Sequence, residues 1–110
     1  MAAYEMDAVF KALSDPTRRQ ILDRLFERPG QSLTELIDGL DMRRQSAAKH
    51  VAILEAAGLV SCHRQGREKL HYLNPVPVAE ISDRWLDKFS SKRAAAILNL
   101  KNALEDSDNE

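Results

Sequence analysis

At Gly58 the hydrophobic pattern of this 110-residue chain changes period, and that change limits the folds open to it. Ahead of Gly58, "DMRRQSAAKHVAILEAAGLV" (residues 41–60) stacks Ala47, Val51 and Leu54 on one stripe when wound at about 100° per residue. Behind it, "LVSCHRQGREKLHYLN" (59–74) reads as two strand-like runs around Gln65-Gly66, a polar residue followed by glycine and hence a hairpin signal. Pro75 and Pro77 stop the second run, because proline cannot donate to a ladder. The fold class is therefore mainly α with a small β-hairpin.

The remaining elements follow from local chemistry. "EMDAVFKAL" places Met6, Val9, Phe10 and Leu13 at helical spacing, so a first helix ends at about residue 13. In "SDPTRRQILDRLFERPG", Asp15 suits an N-cap, Pro16 suits the first helical position, and Ile21, Leu22, Leu25 and Phe26 form the expected buried stripe. Ser32 and Glu35 stand at capping-box spacing before Leu33, Leu36, Ile37 and Leu40. A turn at Gly39 to Asp41 then leads into a helix from about Met42 to Ala57. Two short helices joined by such a turn make residues 32–57 a helix-turn-helix, with residues 59–74 as its hairpin. Helical spacing resumes with Val78, Ile81, Trp85 and Phe89, and again with Ile97, Leu100 and Leu104. Either Ser90 or Ser91 caps a separate last helix, or one helix runs through. "EDSDNE" (105–110) reads as a frayed acidic tail of what is otherwise a single domain.

Composition narrows the function. No apolar run approaches the roughly 20 residues that span a bilayer, and "MAAYEMDAVF" lacks a basic segment followed by an apolar one. No membrane partner and a cytoplasmic location are expected. The single cysteine, Cys62, excludes an intrachain disulfide and a cysteine-rich zinc site. No nucleophile–base pair in a cleft, phosphate-binding glycine loop or helix with paired metal ligands appears, so the chain reads as neither an enzyme nor a cofactor protein. The net charge of −1 hides an uneven distribution. Residues 41–75 hold six Lys/Arg against three Asp/Glu, while 1–40 and 76–110 each hold five against seven. Local charge governs where a polyanion docks.

That charge has a definite place. Arg44, Gln45, Ala48, Lys49 and Ala52 fall on the helix face away from the apolar stripe. Arginine, glutamine and lysine can bond phosphates and base edges, and the alanines keep the face flat enough to enter a major groove about 12 Å wide. Arg43, Ser46 and His50 flank this face, although His50 also reads as a semi-buried packing residue. Arg64, Gln65, Arg67 and Lys69 cluster at the hairpin tip, where a β-wing can follow the DNA backbone. A surface helix with a polar face is commonplace; the hairpin directly after it turns the pattern into a two-part footprint on double-stranded DNA.

"FKALSDPTRRQILDRL", "RRQSAAKHVAILEAAGLV" and "RQGREKLHYLN" resemble the opening, recognition helix and wing of the ArsR family of bacterial winged helix-turn-helix repressors, over residues 7 to 90. The resemblance implies a homodimeric transcriptional repressor on a palindromic operator. It also implies that the terminal helices, 1–13 and 78–104, form the dimer interface, through Met6, Val9, Phe10, Ile81, Trp85, Phe89 and Ile97. There are departures. Arg43 replaces a small capping residue, leaving Asp41 as the alternative cap, and Ala48 replaces a common serine. The cysteines that classical metal-sensing members carry in the helix matching "TELIDGL" are absent, as are histidines from 78–110. The chain is similar to the branch without those metal sites, and no small-molecule effector can be named.

Two other readings bear on Cys62 and the histidines. A turn at Gln65-Gly66 would set His63 opposite Glu68 and His71 opposite Val60. The histidines would then lie about 10 Å apart, too far to share an ion, and no metal site is expected. Cys62 reads as a small hydrophobe in a strand, or as a redox thiol activated by Arg64. The rival to DNA binding is a winged helix that binds a protein partner, which would favour apolar or acidic residues on the outer helix face.

Overall fold

The computed structural model describes residues 5–86 and 91–108. Along the chain run α1 (Met6–Leu13), α2 (Pro16–Glu27), α3 (Leu33–Ile37), α4 (Arg44–Ala56), β1 (Val60–Gln65), β2 (Glu68–Leu73) and α5 (Val76–Ile81). A π-helical turn (Ser82–Leu86) and α6 (Ser91–Asp108) follow. The chain divides into two compact units, one ending at Pro77 and the other beginning at Val78.

In the first unit the helix starts follow from their caps. Asp15 accepts a hydrogen bond from the Arg18 backbone N–H at 3.0 Å, with Pro16 opening α2. That bond holds the Asp15 carboxyl below its ordinary range. Ser32 and Glu35 form the complete capping box of α3. The α4 exit is a Schellman motif: Leu59 N–H bonds the Leu54 carbonyl and Gly58 N–H that of Glu55, each at 3.0 Å. Gly58 takes φ 80° there, a conformation that disfavours side chains. Arg24 reaches from α2 to the carbonyls of Leu36 and Asp38, satisfying the end of α3.

The core is shared among these elements. Val9, Ala12, Ile21, Leu25, Leu36, Ala47, Leu54 and Leu59 are all wholly buried. The stripe expected on α4 is buried as read, at Ala47, Val51 and Leu54. Phe26, expected in the α2 stripe, is 76% exposed. It lies about 40° beyond Leu22 around the helix, outside the arc that Ile21, Leu22 and Leu25 turn inward.

Four expectations on boundaries and pairing are corrected. Arg43, not Asp41, is the α4 N-cap position, in extended conformation and without a side-chain cap. Residues 38–43 separate α3 from α4, a longer connection than the turn predicted at Gly39 to Asp41. α6 continues to Asp108, where a frayed tail from residue 105 was expected. The hairpin turns at Gly66-Arg67, with Gly66 at φ 64°, so Gln65 pairs with Glu68, Arg64 with Lys69 and Cys62 with His71. An isolated bridge between Gln31 and His71 continues the ladder beyond the hairpin.

Among the described residues of the second unit, Ile97, Leu98, Leu100 and Leu104 of α6 are 56–63% exposed. No helix among the described residues is long and apolar enough to cross a membrane.

Candidate nucleic-acid interface

With Ala47, Val51 and Leu54 turned into the core, α4 presents Arg43, Arg44, Gln45, Ser46, Ala48, Lys49 and Ala52 outward, and all seven are exposed. Arg44 is held by a 2.8 Å hydrogen bond from its guanidinium to Thr34 Oγ1, across the helix-turn-helix. A groove of about 680 Å³ lies between α3, α4 and the hairpin. Ser32 and Thr34 line it from α3, Arg44, Ala48, Ala52 and Glu55 from α4, and Arg67 and Lys69 from the hairpin.

The hairpin register determines which cations share a side. Val60/Leu73, Cys62/His71 and Arg64/Lys69 are directly opposed pairs, and alternation puts all three on one face. That face meets α4, since Lys69 Nζ lies 3.3 Å from a Glu55 carboxylate oxygen. Arg64 and Lys69 are therefore like charges directly opposed at an exposed tip, an arrangement that destabilises an isolated ladder slightly. A polyanion docked at the tip would offset that repulsion.

Not every residue expected in the interface stands in it. His50 is half-buried and faces α2: its Nδ1 is 3.3 Å from the Arg18 guanidinium and 3.9 Å from Asp15. Arg18 also donates to the carbonyls of Ala12 (2.7 Å) and Lys11 (3.0 Å), so it ties α1, α2 and α4 together. His50 is a packing residue beneath the interface. Gln65 is exposed beside the turn. Thr34 and Ser32, which sequence reasoning passed over, join the groove wall; their signal was the capping box that places the start of α3.

Cys62 is not an activated thiol. Burial pushes its pKa up to about 11, reinforced by the hydrogen bond it donates to Glu55 at 3.0 Å. Arg64 is its neighbour but one in sequence, on a different rung. Against an ordinary value of 9.0, the thiolate fraction at pH 8 is about a hundredfold lower. Alkylation of Cys62 by iodoacetamide at pH 8 is therefore expected to be far slower than that of a free thiol, and Glu55→Gln is expected to accelerate it. Alkylation of the parent chain at the free-thiol rate would contradict this.

A capped first helix, a second helix with a flat cationic outer face and a cationic hairpin on the same side define a winged helix-turn-helix DNA-binding domain. Comparison with known proteins agrees. A family model described as a helix-turn-helix domain matches residues 13–63. The chain is 41% identical over 87 residues to the uncharacterized HTH-type transcriptional regulator YuzN of Bacillus subtilis, covering 74% of this chain and 95% of that one. It is 36% identical over 87 residues to the transcriptional repressor SdpR of the same organism, covering 79% and 94%. Among solved structures, an ArsR-like transcriptional regulator from Rhodococcus sp. RHA1 superposes with a TM-score of 0.69 at 33% identity, over 92% of this chain and 91% of that one. The chain belongs to the ArsR family of winged helix-turn-helix transcriptional regulators, a family of DNA-binding proteins and not of enzymes.

Proposed function

We propose that the chain is a repressor that binds a palindromic operator as a homodimer, with an operator upstream of its own gene as the first candidate. The observation that carries the reading is the shared side of the two cationic elements. Arg44, Gln45 and Lys49 stand on the outer face of α4, and Arg64, Arg67 and Lys69 on or beside the hairpin face that meets it. Residues near the start of a recognition helix reach base edges, and wing cations follow the phosphates. Arg44 and Gln45 are accordingly assigned to base reading, and Arg43, Ser46, Lys49, Arg64, Gln65, Arg67 and Lys69 to backbone positioning.

The homodimer is supported by the apolar surface on the terminal helices. Phe10 is 41% exposed and Trp85 37%, while Ile97, Leu100 and Leu104 recur along α6 at helical spacing with 59–63% exposed. An apolar stripe of this kind is covered at low cost by the same stripe on a second copy, since a two-fold interface is self-complementary. Met6 and Ile81 are half-exposed and remain in the proposed interface. Val9 is wholly buried and belongs to the core, so it leaves the interface set. Phe89 lies outside the described residues.

The test is selection of genomic fragments by the purified chain, followed by footprinting and sedimentation on the selected DNA. The expected result is a dimer protecting two inverted half-sites spaced by about one helical turn, 10–10.5 base pairs. A monomer protecting one unpaired half-site would overturn the dimeric reading.

A further inference from the structure

The hairpin register brings together three side chains that the recognition face does not use. Glu55 from α4, Cys62 from β1 and His71 from β2 place a carboxylate oxygen, a sulfur and an imidazole nitrogen all within 4.8 Å of one another. Cys62 Sγ lies 3.0 Å from Glu55 Oε1, and His71 Nε2 lies 3.8 Å from the same oxygen. A tetrahedral ion with bonds of about 2.3 Å to sulfur and about 2.0–2.1 Å to nitrogen and oxygen needs ligand atoms about 3.4–3.6 Å apart. Rotations of the Glu55 and Cys62 side chains that move their ligand atoms by up to about 1 Å reach that geometry.

His71 is already arranged as a ligand. It is 3% exposed. Its backbone is fixed by a bond from His71 N–H to the Gln31 carbonyl at 2.8 Å and from Gly30 N–H to the His71 carbonyl at 2.9 Å. Its ring Nδ1 lies 2.8 Å from the Gln31 carbonyl oxygen, which can only accept, so Nδ1 carries a proton. In the neutral ring the lone pair is then on Nε2, the atom aimed at Glu55 and Cys62. No hydrogen bond reaches Nε2 from any described residue. An N–H held by a backbone carbonyl, with the other nitrogen turned to a sulfur and a carboxylate, is the outer-shell support that metal-bound histidines use.

We propose that Glu55, Cys62 and His71 form a three-ligand site for a borderline-soft divalent cation of the zinc type, clamping the recognition helix to the wing. Thiolate and imidazole select such an ion over magnesium or calcium. Glu55 and His71 line the groove between α3, α4 and the hairpin, so the fourth position faces that groove and takes a water molecule. On binding, the Cys62 thiol gives its proton to solvent and its sulfur trades the bond to Glu55 for one to the metal. Lys69, whose side chain is half exposed, swings away from Glu55. The site goes beyond the DNA-binding reading and does not depend on it.

The test is titration of the purified, chelator-treated full chain with cobalt(II), a spectroscopic stand-in for zinc. The expected result is one ion per chain, intense tetrahedral visible bands and a thiolate-to-metal charge-transfer band in the near ultraviolet, all abolished by zinc. Because Cys62 is the only cysteine, that band reports this residue alone. Cys62→Ser is expected to remove it and weaken binding at least tenfold with circular dichroism unchanged. Lys69→Gln is expected to tighten binding, and His63→Ala, on the opposite hairpin face, to leave it unchanged. Cobalt binding without a charge-transfer band, or equal affinity in Cys62→Ser, would overturn the proposal.

Discussion

Leu54→Ala is expected to destabilise the fold by about 2–5 kcal/mol, the range for a leucine truncated in a packed core. Leu54 is wholly buried and belongs to the stripe that seats α4 against the rest of the first unit. Its carbonyl also anchors the Schellman motif through Leu59 N–H, so a cavity there loosens the junction between recognition helix and wing. Domains of this size are stable by about 5–15 kcal/mol, so the loss is a large fraction of the total. Urea unfolding followed by circular dichroism measures it as a lower midpoint with an unchanged slope. The neighbouring Ile53 is 42% exposed, and Ile53→Ala is expected to cost well under half as much. Equal losses at 53 and 54 would show that α4 packs on a different face.

The second large effect falls on the opposite side of the same helix. Arg44→Ala/Lys49→Ala removes two exposed cations from the outer face of α4 without touching the core. The expected loss of operator affinity is about 2–4 kcal/mol, or about thirtyfold to a thousandfold, with little change in unfolding midpoint. The two residues differ in kind. Lys49 is proposed to act as a point charge on phosphate, so Lys49→Ala is expected to weaken operator and random DNA alike. Arg44, oriented by Thr34 at 2.8 Å, presents a planar fork suited to a base edge, so Arg44→Ala should also lower the preference for operator. Equal losses on operator and random DNA for Arg44→Ala would count against its base-reading role.

How much of this was legible in the sequence depended on how local the deciding interaction was. The caps at Asp15-Pro16 and Ser32…Glu35 are settled within four residues, and both appear as read. The α4 stripe follows from helical geometry alone, and with it the outward direction of Arg44, Gln45 and Lys49. The hairpin register was not legible. Gln65-Gly66 and Gly66-Arg67 both put a glycine in a two-residue loop, and the observed choice moves every cross-strand partner by two positions while keeping its face. The interactions accompanying that choice are tertiary: Glu55 against Cys62 and Lys69, and the bridge from Gln31 to His71. The same shift hides the pairing of Cys62 with His71 from a reading of the sequence, which leaves the two histidines as the only visible metal question. Phe26 failed for a related reason, while His50, read both as a flank of the outer face and as a semi-buried packing residue, stands half-buried against α2. A residue at the edge of a helical stripe can fall on either side of the buried arc, and only the neighbouring helix decides which.

The most direct test of the account is a salt titration of DNA binding by fluorescence anisotropy, with the parent chain and Arg44→Ala/Lys49→Ala side by side. Selected operator DNA and random DNA of equal length serve as ligands. The predicted result is tight, sequence-preferring binding by the parent that falls steeply with salt. The double variant should bind weakly, with a log–log salt slope shallower by about 0.9 for each phosphate that is no longer neutralised. Binding by the parent that shows no preference over random DNA, or the same slope in both proteins, would contradict the assignment of α4 as the DNA-reading helix.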